Sequence, residues 1–141
     1  SWGDSMSNRI DLQSFIDDDG SLIVGEVGKH IPFPIKRFFA ISNVKAGNIR
    51  GQHAHKKLNQ VLVCLSGAVE VNLNDGRRSW SETLDQPGSG LHIPPMIWAQ
   101  QTYGDPNTVL LVFCDEKYQE SDYLRNFEEF SNAVSSSDLS I

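Results

Sequence analysis

Residues Gly47–Gly67 read GNIRGQHAHKKLNQVLVCLSG, and the reading of this stretch decides the fold. His53 and His55 stand one residue apart at the mouth of an apolar run. On a strand, residues i and i+2 point to the same face, so this spacing aims two imidazoles into one space. After a short turn, Gln60–Leu65 reads as a buried strand that stops at Ser66-Gly67. Ala68–Asn72 leads away again toward a turn at Asn74-Asp75-Gly76. The spacing is Gly47, five residues, His53-x-His55, four residues, Gln60, six residues, Gly67.

Strand-like segments recur on both sides of this stretch. Residues 7–24 contain short ones broken at Asp17-Asp18-Asp19-Gly20, and Ser21–Val24 reads as a strand. The acidic run lacks the spacing and closing glutamate of an EF-hand loop, so it reads as a polar turn. Ile31-Pro32-Phe33-Pro34 is an extended connector, because two prolines exclude a helix. In the strand predicted over Ile35–Asn43, Arg37, Phe39 and Ile41 share one face. Downstream, Asp75-Gly76 signals a hairpin, and Arg77–Leu84, Leu91–Ile93, Ile97–Thr102 and Thr108–Cys114 read as strands separated by Gly, Pro and Asn. Strands about ten residues apart predict an all-β sandwich or barrel. A helix is expected over Asp122–Val134, where Tyr123, Phe127 and Phe130 form one apolar stripe. Residues 1–5 read as an expression remnant, 6–134 as a single domain, and 135–141 as a flexible polar tail.

The 141 residues suffice for one domain with a real core. A net charge of −6 argues against a nucleic-acid surface. No apolar run is long enough to span a bilayer, and no signal peptide is evident. Cys64 and Cys114 sit inside apolar runs and lack metal spacing. They read as buried reduced thiols, which suits a cytoplasmic protein without structural disulfides. Lys36, Arg37, Arg50, Lys56 and Lys57 are five of only 12 Lys and Arg residues, gathered around the central stretch. Arg37 and Arg50 flank strand-like sequence and are candidates for a phosphate clamp.

The spacing of Gly47–Gly67 resembles the first signature motif of the cupin superfamily, with Gln60 where metal-binding cupins carry Glu. A second such motif starts at Gly88 and reaches Pro94, but Met96 replaces its glycine and Ala99 its histidine. Two neutral imidazoles and Gln60 make a poor site for a divalent ion. The resemblance implies a cupin jelly-roll barrel with a short C-terminal helix and no metal.

The likeness extends further. Ile31–Arg37, Arg50–Lys57, Gln60–Gly67 and Tyr118–Arg125 closely resemble the sugar-nucleotide 3,4-ketoisomerases, which act on dTDP-4-keto-6-deoxyhexoses and include the C-terminal module of WxcM-like proteins. The resemblance covers roughly residues 10–130. It implies a cofactor-free isomerase, usually a homodimer with strands exchanged, that takes a nucleotide-sugar. By resemblance His55 and His53 are catalytic. Arg50, Arg37, Phe39, Gln60 and Lys56 are the expected substrate-binding residues. The chemistry suits imidazole: a 4-keto sugar has an acidified C3 proton, and a group with a pKa near neutrality can remove it and return one to C4. This chain departs from the family at Phe39, where a tyrosine is expected, at Ala99, where many members carry histidine, and at Asp17–Gly20, where an Arg or Tyr is associated with the product epimer. Two other readings stay open on these residues: a non-catalytic sugar-nucleotide-binding cupin and a metal-dependent cupin enzyme.

Overall fold

The computed structural model describes residues 8–139. Twelve strands run in chain order: β1 (Asn8–Asp11), β2 (Gln13–Asp17), β3 (Gly20–Val24), β4 (Arg37–Ser42), β5 (Ile49–His55), β6 (Gln60–Ser66), β7 (Val69–Asn74), β8 (Ser79–Leu84), β9 (Ser89–Ile93), β10 (Trp98–Tyr103), β11 (Val109–Cys114) and β12 (Tyr123–Leu124). A 3-10 turn, Glu120–Asp122, precedes β12, and helix α1 (Phe127–Leu139) follows it. One five-stranded sheet has the order β1-β9-β6-β11-β4 and the other β12-β5-β10-β7-β8, with β2-β3 as a separate hairpin. All pairings between strands are antiparallel. This is the expected all-β jelly roll with a C-terminal helix.

The main core lies between the two large sheets. Leu62, Cys64, Leu91, Leu110, Val112 and Cys114 meet Val69, Val71, Leu73, Leu84 and Tyr103 across it. Strand β6 is apolar on both faces because both are covered. Val61 and Val63 point away from the barrel, against Ile31 and Phe33 of the proline-rich connector. Alternation in β4 puts Arg37, Phe39 and Ile41 on one face, as predicted, and the structure turns that face inward while Phe38, Ala40 and Ser42 are exposed. The Asp17–Gly20 segment is a hairpin turn in which the Asp17 carboxylate accepts a hydrogen bond from the Asp19 amide at 2.8 Å.

The helix starts later than the Tyr123 stripe suggested. Asp122 is bound to the segment after β5: its carboxylate accepts from the Lys57 and Leu58 amides at 2.9 and 3.2 Å. Its carbonyl accepts from the Lys56 amide at 2.9 Å. Tyr123 and Leu124 therefore pair with β5 as a strand. Asn126 caps the helix, accepting from the Glu129 amide at 3.0 Å. The helix then runs on to Leu139, through most of the segment expected to be a flexible tail. Residues 1–5, read as an expression remnant, lie outside the described residues. No helix among the described residues is long and apolar enough to cross a membrane.

Candidate active site

Strand β5 delivers both histidines. Their ring centroids lie 4.8 Å apart, edge to face, as the His-x-His spacing requires. His55 is 6% exposed. Its Nε2 is buried and has no hydrogen-bond partner. A buried ring nitrogen left unpaired costs about 1–3 kcal/mol, so its place needs an explanation beyond packing. The His55 carbonyl accepts from the Met96 amide at 2.7 Å. Met96 holds a left-handed φ of 63°, at the position where the second cupin motif carries glycine.

Arg50 reaches the same face by a bulge. His53 pairs with Ala99 and Arg50 with Gln101, so three steps on β5 match two on β10. The extra residue sits beside Gly51, whose φ is 73°. Strict alternation would place Arg50 with Ala54, on the opposite side from His53. Opposite residues share a face, so pairing with Gln101 turns Arg50 toward the side of Gln101, but its side chain is exposed and lines a separate pocket with Asn43, Lys45 and Asn48, not the cavity of His55. The Tyr103 hydroxyl donates to Gln101 Oε1 at 2.8 Å. Burial pushes this phenol up to about 12, opposed by the positive charge of Arg50.

The facing sheet supplies Arg37 and Gln60. Both lie opposite Cys114 of β11, one on each side, forming a row at the barrel mouth. The Arg37 guanidinium stands 5.5 Å from the Phe39 ring and 5.6 Å from the Tyr118 ring. Lys56 does not join this group: its ammonium donates to the Ser121 carbonyl at 3.2 Å. A cavity of about 290 Å³ opens here, with Arg37, His55, Lys57, Glu116, Asp122 and Tyr123 in its wall.

Several neighbours lay outside the expected site. Tyr123 pairs with His55 in register. Its ring centroid lies 4.3 Å from His55 and 5.1 Å from His53. Arg125 stands 4.2 Å from the Tyr123 centroid and donates twice to the Glu120 carboxylate, at 2.7 and 2.9 Å. Glu120 also accepts from the Tyr118 hydroxyl. The Tyr118–Arg125 run was visible in the sequence as a motif, but reading Tyr123 as part of a helical stripe hid its proximity to the histidines. Trp98 lies against Phe127 and Phe130 on the helix side of its sheet. His92 Nε2 is 2.9 Å from Asn59 Oδ1, and His30 Nδ1 accepts from the Glu26 amide.

Burial, then the neighbouring charges of His53, Arg37 and Arg125, lowers His55 to about 3. Burial and Arg125 lower His53 to about 4, with Glu120 opposing. Both imidazoles are therefore neutral at neutral pH, and with no substrate beside them they are weaker bases than the near-neutral pKa expected of a proton carrier implies. In the unfolded chain they protonate near pH 6.5. The unfolded state thus binds more protons below that value, and stability falls as pH drops while remaining complete above 6.5. For His55 the slope reaches about 1.4 kcal/mol per pH unit. The thermal midpoint is expected to fall from pH 6.5 to 5, and less steeply in His55→Asn; equal slopes in the two proteins would contradict this account.

The donor set does not suit a metal. Ala99 removes one nitrogen, Gln60 is uncharged, and no group of three His, Cys, Asp or Glu among the described residues is arranged to hold an ion.

Residues 5–135 match the family model described as FdtA: WxcM-like, C-terminal. The chain belongs to this family. The FdtA-like chain is 40% identical over 135 residues to the TDP-4-oxo-6-deoxy-alpha-D-glucose-3,4-oxoisomerase of Aneurinibacillus thermoaerophilus, covering 95% of this chain and 97% of that protein. It is similar to the sugar 3,4-ketoisomerase QdtA of Thermoanaerobacterium thermosaccharolyticum, solved with TDP, with a TM-score of 0.89 and 35% identity over 93% of this chain and 96% of that one. A 3,4-ketoisomerase from Helicobacter canadensis matches with a TM-score of 0.88 and 38% identity over 92% and 97% of the two chains. The FdtA-like fold thus places the His53–His55 pair on a scaffold shared with sugar 3,4-ketoisomerases.

Proposed function

We propose that this chain is a sugar-nucleotide 3,4-ketoisomerase that converts a dTDP-linked 4-keto-6-deoxyhexose to its 3-keto isomer, with His55 as the base. The observation that carries this role is the buried, unpartnered Nε2 of His55, on a neutral imidazole at the wall of the cavity. His55 removes the C3 proton, an enediolate forms, and the imidazolium returns a proton to C4. His53 lies against it and shares the proton handling. Arg37, in the wall of the His55 cavity, steadies the enediolate charge or orients the diphosphate, and the exposed Arg50, on a separate pocket, is left to hold the distal part of the nucleotide. Phe39 and Gln60, neighbours of Arg37, are assigned to the sugar in this reading. Lys56, tied to the Ser121 carbonyl, contributes at most to the rim. No metal or organic cofactor enters this scheme. The preference for dTDP rests on the TDP-sugar relatives, and a cytoplasmic location on two buried free thiols.

Incubation with dTDP-4-keto-6-deoxyglucose, followed by NMR of the sugar, tests the reading. Appearance of a 3-keto product supports it; binding without turnover makes the chain a binding module, the reading favoured by the missing side chains at Phe39 and Ala99.

The working unit in this reading is a homodimer. The β2-β3 hairpin pairs with neither large sheet, and it bares Phe15, Ile16 and Leu22 at 53, 77 and 58% exposure. Three exposed apolar side chains on one two-stranded ribbon call for a cover, and a second copy supplies an equivalent ribbon. Light scattering at micromolar concentration is expected to give twice the chain mass; a monomer would refute the dimer.

A further inference from the structure

The isomerisation moves protons at four atoms: off C3, onto C4, onto O4 and off O3. A base placed for the carbons leaves the two oxygens unserved. We propose that Tyr123 is the catalytic residue that carries the oxygen protons, giving its phenolic proton to O4 and taking the one from O3. This rests on the ketoisomerase reading and adds to it a residue with a separate test.

Position in the fold is the first argument. Tyr123 lies opposite His55 in the β5–β12 ladder, and its ring centroid is 4.3 Å from that imidazole and 5.1 Å from His53. It lines the same cavity as His55. Side chains of directly opposed residues share a face, so a sugar presenting C3 to His55 presents its vicinal oxygens to the neighbouring ring.

The second argument is chemical. Of the residues lining the cavity, Tyr123 alone carries a hydroxyl. Among the described residues no hydrogen bond engages that hydroxyl, whereas the Tyr118 hydroxyl is held by Glu120. The nearby acid, Asp122, is occupied by the Lys57 and Leu58 amides. Positions 39 and 99, on the inward rows of β4 and β10, are Phe and Ala and handle no protons.

The third argument is the charge beside the ring. Arg125 stands 4.2 Å from the Tyr123 centroid and is fixed by two hydrogen bonds to Glu120. A cation fixed against the ring attracts the negative charge that tyrosinate bears between its two transfers.

The cycle balances. The C3–H bond breaks and its proton passes to His55, while the electron pair moves through C3–C4 to O4. Tyr123 protonates O4 and becomes tyrosinate, giving the neutral enediol. Tyrosinate then removes the O3 proton, the electron pair returns through C3–C4, and His55 delivers its proton to C4. Both side chains end as they began, and no oxidant or reductant is consumed.

Tyr123→Phe keeps the ring and its contacts and removes the oxygen. Turnover of dTDP-4-keto-6-deoxyglucose is expected to fall about 100-fold or more, the lower range for a lost general acid–base group. Wash-in of deuterium at C3, which needs His55 alone, is expected to stay within about tenfold of wild type. A Tyr123→Phe protein that turns over within about threefold of wild type overturns the proposal. So does one in which exchange and turnover fall together, because that is the signature of a merely structural ring. The same split measured in His53→Asn, but not in Tyr123→Phe, assigns the oxygens to His53 instead. If wild type neither exchanges nor turns over, the ketoisomerase reading itself fails, and this one with it.

Discussion

His55→Asn is expected to lose turnover by about two to four orders of magnitude, the range for removing a general base, while folding as the wild type does. The side chain is almost fully buried but its Nε2 bonds to nothing, so the substitution breaks no side-chain hydrogen bond there. The backbone bond from the Met96 amide to the carbonyl of residue 55 is unaffected. Asparagine is polar and somewhat smaller than histidine, and it cannot accept and return a proton at neutral pH. Deuterium wash-in at C3 of the substrate should vanish together with turnover. This joint loss separates His55, the base proposed for carbon, from Tyr123→Phe, which is expected to leave exchange largely intact. Binding of the nucleotide-sugar should survive, since in the proposed scheme the diphosphate falls to the arginines rather than to His55. Exchange at the wild-type rate in His55→Asn would mean that another group is the base.

The second large effect is on stability. Gly67→Ala is expected to destabilise the fold by about 2–5 kcal/mol, from a left-handed backbone costing about 1–2 kcal/mol in any L-residue and from overpacking costing about 1–3 kcal/mol. Gly67 has φ 75°, and a Cβ there would lie 2.3 Å from Thr108 Oγ1 and 2.7 Å from Thr108 Cα. The second contact is with backbone, which cannot rotate away. Thr108 is itself buried and holds both the amide and the carbonyl of Ala68 at 3.3 Å, so relief at Gly67 would disturb the start of β7. For a domain with a total stability of about 5–15 kcal/mol this is a large fraction. Gly28→Ala is the control, with φ 86° and nothing within 4 Å of the added carbon. It should cost only the backbone part. Equal denaturation midpoints for the two variants would remove the packing argument.

Gly67 closes the stretch with which the sequence reading began, and that stretch shows what a linear pattern can carry. Period-two alternation in Arg37–Ser42 gave the shared face of Arg37, Phe39 and Ile41 because a pleated strand turns successive side chains to opposite sides. The same rule gave the shared face of His53 and His55. Gln60 and Ala99 at the usual ligand places are legible in the same way, since donor chemistry belongs to the side chain itself. The helix start was also written locally, in Asn126 three residues before Glu129, but the apolar stripe through Tyr123 outweighed it.

The remaining parts of the site depend on pairings between distant segments. Arg50 joins the histidine face only because β5 carries one residue more than β10 across the Gly51 bulge. A glycine within a strand hints at such a bulge, but the register of the partner decides it. Tyr123 leaves the helical pattern because the Asp122 carboxylate takes two amides some 65 residues away. That pins the segment to β5 and lays the phenol beside His55. Lys56, next to the motif in sequence, turns to the Ser121 carbonyl by the same docking. The sequence by itself determined the strand periods, the paired imidazoles and the missing metal donors, because each follows from residue identity and local backbone geometry. The tertiary structure alone decided which arginine faces inward, which lysine does not, and which tyrosine meets the histidines, because hydrogen-bond register between remote strands sets those contacts.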